Sequence, residues 1–237
     1  YKEALKTVKT SENLGAINVK VDHGIPTEFF ISGDILNALE ALKHLNTPQT
    51  PLHLLYYSRF AKKFDVIDEI LNNNINDFFE DVRFSYPRQY YMGISALGKG
   101  EKQKAAIHFK NAIKVLAKKI DNYPNDPRFY STMGLVYARL GDRTNALKKG
   151  IEATEILSVS RDAMFGTNYE KELASIYSLV GEKNKSLEKI EYLSTIPNGY
   201  HYGELNADPD FDSIRDEPRF QRILNNLKPK SWVFLKN

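Results

Sequence analysis

The sequence predicts an all-α protein: an array of antiparallel helix pairs closed by a C-terminal capping helix. Three observations carry that reading. A pattern of aromatic and small residues returns every 40 to 41 positions between residues 86 and 199, a glycine ends the first helix of each copy, and apolar residues recur at helical spacing on both flanks. With 237 residues, 42% hydrophobic and 27% charged, the chain can bury a core and is too ordinary in composition for wholesale disorder. No run approaches about 18 uninterrupted apolar residues, which removes a membrane-spanning helix. The absence of cysteine excludes a disulfide scaffold, thiol catalysis and Cys-ligated zinc. Thirty-three Lys and Arg against 30 Asp and Glu leave +3, too close to balance to argue for nucleic acid on charge alone. The chain opens on Tyr1 rather than Met, so further residues ahead of it are expected. With no signal-like start, a cytoplasmic location is expected over export.

Residues 1–33 read as an irregular N-terminal segment or linker. The alternating Ile17–Val19–Val21 run and Phe29–Phe30–Ile31 flank Gly24 and Pro26 as a hairpin would, but two lone strands are marginal. Residues 34–85 read as a helical cap or as degenerate repeats. Helices are expected at about 34–46, over Pro51–Ala61 and over Phe64–Phe79, with Leu52, Leu55, Phe60, Phe64, Ile67, Ile70 and Leu71 as core candidates.

Residues 86–199 hold three copies of a helix, a glycine turn and a second helix. Gly93 to Gly134, Ala105 to Ala146 and Ala112 to Ala153 are each 41 apart, and Ala174, Gly181 and Ser186 continue the series. First helices are expected at 87–98, 128–140 and 168–180, and second helices at 101–120, 143–157 and 182–194. Gly93, Gly134 and Ala174 let a neighbouring helix approach closely. Ala105 and Ala112, like Ala146 and Ala153, do the same seven residues apart on one face. Tyr90, Tyr130, Tyr137 and Tyr177 fill the wider gaps. Gly100, Gly141 and Gly181 suit the positive φ of a helix C-cap.

This pattern resembles the tetratricopeptide repeat. The resemblance covers residues 86–195 and implies a right-handed superhelical stack, an α-solenoid whose ends need caps. The copies are 40 and 41 residues long rather than roughly 34, with the excess near Val115–Lys119. Gly150 stands where that family prefers a large apolar side chain. Residues 200–228 read as the capping segment, with Asp208 and Asp216 as N-caps ahead of Pro209 and Pro218. Leu205 to Leu224 resembles an ending found in many bacterial repeat proteins of this type, whose upstream parts are Ser/Thr kinases, nucleotide cyclases or winged-helix regulators. Residues 229–237 read as a tail.

Catalytic and metal signatures are missing from the sequence. The five histidines show no i, i+4 pair, and there is no Gly-rich phosphate loop or G-x-S-x-G elbow. Asp208-x-Asp210-x-Asp212 suggests a calcium loop but has Ser213 at the sixth position and Arg219 at the twelfth. Capping and pairing with Arg215 or Arg219 account for these aspartates instead. The expectation is therefore no enzyme, no cofactor and no metal.

Charge is unevenly spread. Residues 64–81 carry six carboxylates and no Lys, whereas residues 99–119 carry seven lysines against Glu101. Solvated faces and pairing between repeats explain most of this, and a basic stripe for an acidic partner is the sharper reading. In a stacked array the first helices line the concave side. That places Tyr90 and Ile94, then Arg128, Ser131, Leu135 and Arg139, then Asn168 and Lys171 along a groove for a peptide or protein partner, acidic ones included. Pro87, Tyr90, Tyr91 and Ile94 depart from the Lys/Asn clamp of the chaperone-binding subclass. The leading expectation is a non-enzymatic interaction module. Its alternatives are the regulatory C-terminal region of a larger bacterial signalling protein and a self-associating scaffold, a homo-oligomer.

Overall fold

A computed structural model describes Pro26, residues 30–45 and residues 47–229. Two short helices lead, α1 (Ile35–Lys43) and α2 (Thr50–Phe60), then α3 (Phe64–Asn73). A hairpin of β1 (Phe78–Glu80) and β2 (Ser85–Pro87) follows, and six further helices come next. These are α4 (Arg88–Gly98), α5 (Lys102–Asn122), α6 (Pro127–Arg139), α7 (Arg143–Ile156), α8 (Gly166–Leu179) and α9 (Lys183–Leu193). The chain closes with α10 (Tyr202–Ala207), a 3-10 turn at Pro209–Phe211 and α11 (Pro218–Leu227). The described protein is thus mostly helical with one two-stranded sheet. No described helix is long and apolar enough to cross a membrane.

Within 86–199 the helices pack as consecutive pairs, α4 on α5, α6 on α7 and α8 on α9, with α8 also against α6 and α7. Local chemistry sets their ends. Asp126 accepts from the Arg128 amide at 3.1 Å ahead of Pro127, and Asp142 accepts from the Asn145 amide at 3.1 Å. Gly100, Gly141 and Gly181 end the first helices at φ 81°, 79° and 82°. Close approach explains the small residues. A Cβ on Gly93 would enter the Phe109 ring, and one on Gly134 would lie 2.7 Å from Ile176 Cδ1 and 3.0 Å from the Gly150 nitrogen. Gly150 itself faces Ile176 and Leu173 of α8, with a built Cβ 2.7 and 3.0 Å from their methyls. The large apolar group missing at residue 150 is therefore supplied by the next helix pair.

The flanks differ from expectation in four places. The helix expected over Phe64–Phe79 stops at Asn73, where three asparagines end it and the Asn74 amide donates to the Ile70 carbonyl at 2.7 Å. Phe78–Glu80 then turns back antiparallel on Ser85–Pro87, with Phe79 opposite Tyr86. Asp81 holds the turn by accepting from the Arg83 and Phe84 amides at 2.7 and 2.8 Å. A lone hairpin would be marginal. This one is pinned by Thr132, whose hydroxyl donates to the Ser85 carbonyl at 3.1 Å, and by Tyr86 stacked on Tyr90 at 4.9 Å.

Second, Phe30, Ile31 and Ser32 are helical rather than irregular, and Phe30 stacks on Tyr57 at 4.5 Å. The rest of the expected irregular segment 1–33, apart from Pro26 and Gly33, lies outside the described residues, as do residues 230–237 of the tail. Third, Asp208 does cap its turn, accepting from the Asp210 amide at 2.9 Å. At α11, however, Glu217 occupies the cap position without a side-chain bond, because Pro218 takes the first helical place. Fourth, of the acidic triplet only Asp212 pairs with Arg215, at 2.8 Å, while Arg219 binds Glu191. Asp208 and Asp210 turn inward to arginines about 70 to 150 positions away in sequence. Phe211, Ile214 and Phe220 close a second core over α9.

Candidate functional site

The residues expected to line a groove on α4, α6 and α8 do not all face open space. The hairpin, α2 and the Asp208–Phe211 turn fold onto these helices and bury five of the eight residues expected to face a partner. Tyr90 lies between Tyr86 and the Arg139 guanidinium, 5.3 Å above its ring. Ile94 and Leu135 are buried in the main core. Ser131 is buried and bonded to the Glu172 carboxyl, which also accepts from the Tyr86 hydroxyl at 2.6 Å. Arg139, with only 3% of its side chain exposed, binds both oxygens of Asp210 at 2.7 and 2.9 Å. These five serve internal packing because segments outside the repeat, invisible to its periodicity, occupy the space before them.

The Arg139–Asp210 pair is one side of a buried network. Arg59 of α2 donates to Asp208 at 2.8 and 3.0 Å and reaches Asp210 at 3.4 Å. Two guanidiniums thus neutralise two carboxylates away from water, which is tolerable only because each charge has directed partners. Burial pushes both aspartates up. For Asp210 the Arg139 and Arg59 charges outweigh it and hold the carboxyl below the usual range. Asp208, with Asp210 as a like-charged neighbour, is pushed up to about 7 against the pull of Arg59.

The remaining three expected residues, Arg128, Asn168 and Lys171, do meet at an open site. They form one wall of a cleft of about 810 Å³. Its opposite wall is α2, through Leu52, His53 and Tyr56, and its rim is the hairpin turn, Glu80 to Phe84. His201 and Glu204 close the far end. Tyr56 and Phe84 stack at 5.5 Å as an aromatic floor, with the Arg83 guanidinium 5.3 Å over Phe84. A narrower recess shares Tyr56, Phe84, Asn168, Lys171 and Glu204 and leads down to Glu172 and Arg59. A shallower groove of about 680 Å³ adjoins across Val82 and Arg128 and is lined by Tyr123, Leu157 and Phe165.

Every full cation in the cleft has an internal carboxylate. Arg128 grips Asp126 and donates to the Asp81 carbonyl at 2.7 Å. Lys171 binds Glu204 at 2.8 Å, and Arg83 binds Asp81 at 2.9 Å. Burial pushes Asp81 up, but His53, Arg83 and two backbone amides together hold it well below the usual range. Glu204 is likewise held down, Lys171 and His201 outweighing burial. His201 is pushed down by its own burial, and its Nδ1 accepts from the Glu204 amide at 3.2 Å to cap α10. The side-chain amide of Asn168 has no hydrogen bond among the described residues. No group of three or more His, Asp or Glu is placed to hold a metal ion among the described residues.

Sequence reasoning missed His53, Tyr56, Arg83, Phe84 and Glu204. Asp81 two and three residues before Arg83 and Phe84 was a readable turn signal, but nothing local places that turn opposite α8. No protein-family model matches this sequence, and comparison with curated proteins finds no relative.

Proposed function

We propose that this chain is a non-enzymatic recognition module in which three tetratricopeptide-like helix pairs, stacked as a solenoid, carry a cleft for an extended segment of a partner protein. The observation that carries this reading is the cleft itself. Its volume lies within the range of binding sites, its floor is aromatic, and Asn168 offers an uncommitted amide at its wall. A primary amide can donate to one peptide carbonyl and accept from one peptide N–H, which suits a backbone more than any one side chain. Because the cations are neutralised by Asp81, Asp126 and Glu204, recognition here rests on shape, stacking and backbone hydrogen bonds. Acidity of the partner is not the basis at this site. The adjoining groove beyond Val82 extends the footprint toward an apolar residue of the same segment.

The test is selection of displayed random peptides on the immobilised full chain, followed by affinity measurement on variants. Enriched peptides should lose affinity about ten-fold, or 1.4 kcal/mol, on Asn168→Ala, and should be indifferent to Tyr192→Ala on the outer helix α9. Failure to enrich any peptide, or binding insensitive to Asn168→Ala and Arg83→Ala, would reject the cleft as the recognition site.

A further inference from the structure

The longest helix, α5, presents a face that the packing leaves unexplained. Its buried side is Ala105, Phe109, Ala112 and Leu116. On the opposite side Lys110, Lys114 and Lys118 are all exposed, and Ile107 is 60% exposed on the same line. At about 100° per residue these four fall within an arc of about 80°, and successive lysines are separated by about 6 Å along the axis.

Their alignment distinguishes them. Several lysines elsewhere have carboxylate partners, while among the described residues Lys102 of the same helix and Lys148 of α7 also make no ion pair but stand off this line. Lys99 binds Asp65 and Asp68, Lys104 binds Glu101, Lys149 binds Glu152, and Lys183 and Lys189 bind Glu217 and Glu170. Lys119 lies 4.6 Å over the Phe78 ring. Among the described residues Lys110, Lys114 and Lys118 make no ion pair. Like charges at i, i+4 and i+8 oppose helix formation, and Asp121, exposed on the same arc three residues past Lys118, makes no ion pair with them among the described residues. Lys114 and Lys118 also border the extra length that sets this helix apart, 21 residues against 14 in α7 and 11 in α9.

We propose that this face is a second docking surface, separate from the cleft, for an acidic segment of a partner protein whose carboxylates repeat about every 6 Å, as on one face of a helix. Charge complementarity supplies the specificity, and Ile107 supplies a small apolar contact at one end. A protein segment fits better than nucleic acid. The face carries no arginine for bidentate phosphate contacts and no aromatic ring on which bases could stack.

The probe is a fluorescein-labelled helical peptide with Glu at every fourth position and one Leu on the same face, titrated into the full chain and followed by anisotropy. Binding should weaken steeply as salt rises. It should fall at least ten-fold in the Lys110→Gln/Lys114→Gln/Lys118→Gln protein, whose circular dichroism and melting should match the parent. A control protein with Lys63→Gln, Lys148→Gln and Lys228→Gln has the same net charge and should bind within two-fold of the parent. Equal loss in both proteins would reduce the effect to net charge and overturn the proposal. So would absence of binding at low salt, or tighter binding of a 20-base-pair duplex through the same three lysines.

Discussion

Arg139 illustrates how a single side chain changes meaning between sequence and structure. Its helical position marks it for a groove, yet it is held by Asp210 beneath the C-terminal turn. Removing a buried cation strands its partner, so Arg139→Met should destabilise the protein by about 3–5 kcal/mol. Urea denaturation followed by circular dichroism would measure this, and a loss below 1 kcal/mol would show that the pair is solvated. Tyr91 argues in the opposite direction. Its ring is fully buried against Phe79, Tyr86 and Tyr90, but its hydroxyl finds no hydrogen-bond partner among the described residues. Deleting an unsatisfied buried hydroxyl recovers desolvation free energy. Tyr91→Phe should therefore be neutral or stabilise by about 1 kcal/mol, with a higher denaturation midpoint as the readout.

At the level of elements, helix pairs depend on small residues at contact points more than on propensity. Gly150 is the clearest case, because Ile176 and Leu173 already occupy the volume a side chain would take. Gly150→Leu, which would add a large apolar side chain to α7, should cost about 1–3 kcal/mol by overpacking. A melting temperature unchanged or raised would contradict the packing of α7 on α8. The hairpin makes the complementary point. Three residues per strand cannot hold a sheet alone, and β2 persists because Thr132 and Tyr90 hold it from two different helices. Helix bounds within the three pairs were legible to within two residues at every end, since caps and turn glycines are local signals. The hairpin was not, because it is also pinned by Thr132, 47 positions from Ser85, besides Tyr90 four positions from Tyr86.

At the scale of the molecule, buried charge ties the N-terminal helices, the repeats and the C-terminal turn together, and this sets a pH dependence. Asp81, Asp210 and Glu204 have carboxyls held below their unfolded values. Groups lowered in this way stabilise the fold above about pH 4, and that stabilisation is lost as pH falls through the folded values. Glu172 and Asp208 have the opposite sign. Burial raises both, outweighing the hydroxyls of Ser131 and Tyr86 at Glu172 and the Arg59 charge at Asp208, so their favourable contributions are fully present below about pH 4 and fade as pH rises. The three lowered groups dominate on the acid side. Thermal melts should therefore show the melting temperature falling from about pH 5 toward pH 2. Asp81→Asn should lie below the parent at pH 6, and the gap should narrow as pH falls toward 2. Parallel curves would show that Asp81 is not held low in the fold.

The amino-acid sequence by itself determined the mostly helical class, the recurrence of the helix pairs and the small residues at their contact points, but not the hairpin of Phe78–Glu80 and Ser85–Pro87. Those depend on propensity, capping and side-chain size within about 40 residues. Of the residues expected to face a partner, Arg128, Asn168 and Lys171 line the cleft. Only the tertiary structure decided that Tyr90, Ile94, Ser131, Leu135 and Arg139 are buried. It also decided that α2 and the hairpin turn form the other half of the cleft. These outcomes turn on contacts such as Arg59 with Asp208, 149 positions apart, and Tyr86 with Glu172, 86 apart. Periodicity is a property of neighbouring residues and reports which face of a helix is apolar. It does not report which distant segment will cover that face, because burying two charges or closing a cleft depends on where the whole chain returns.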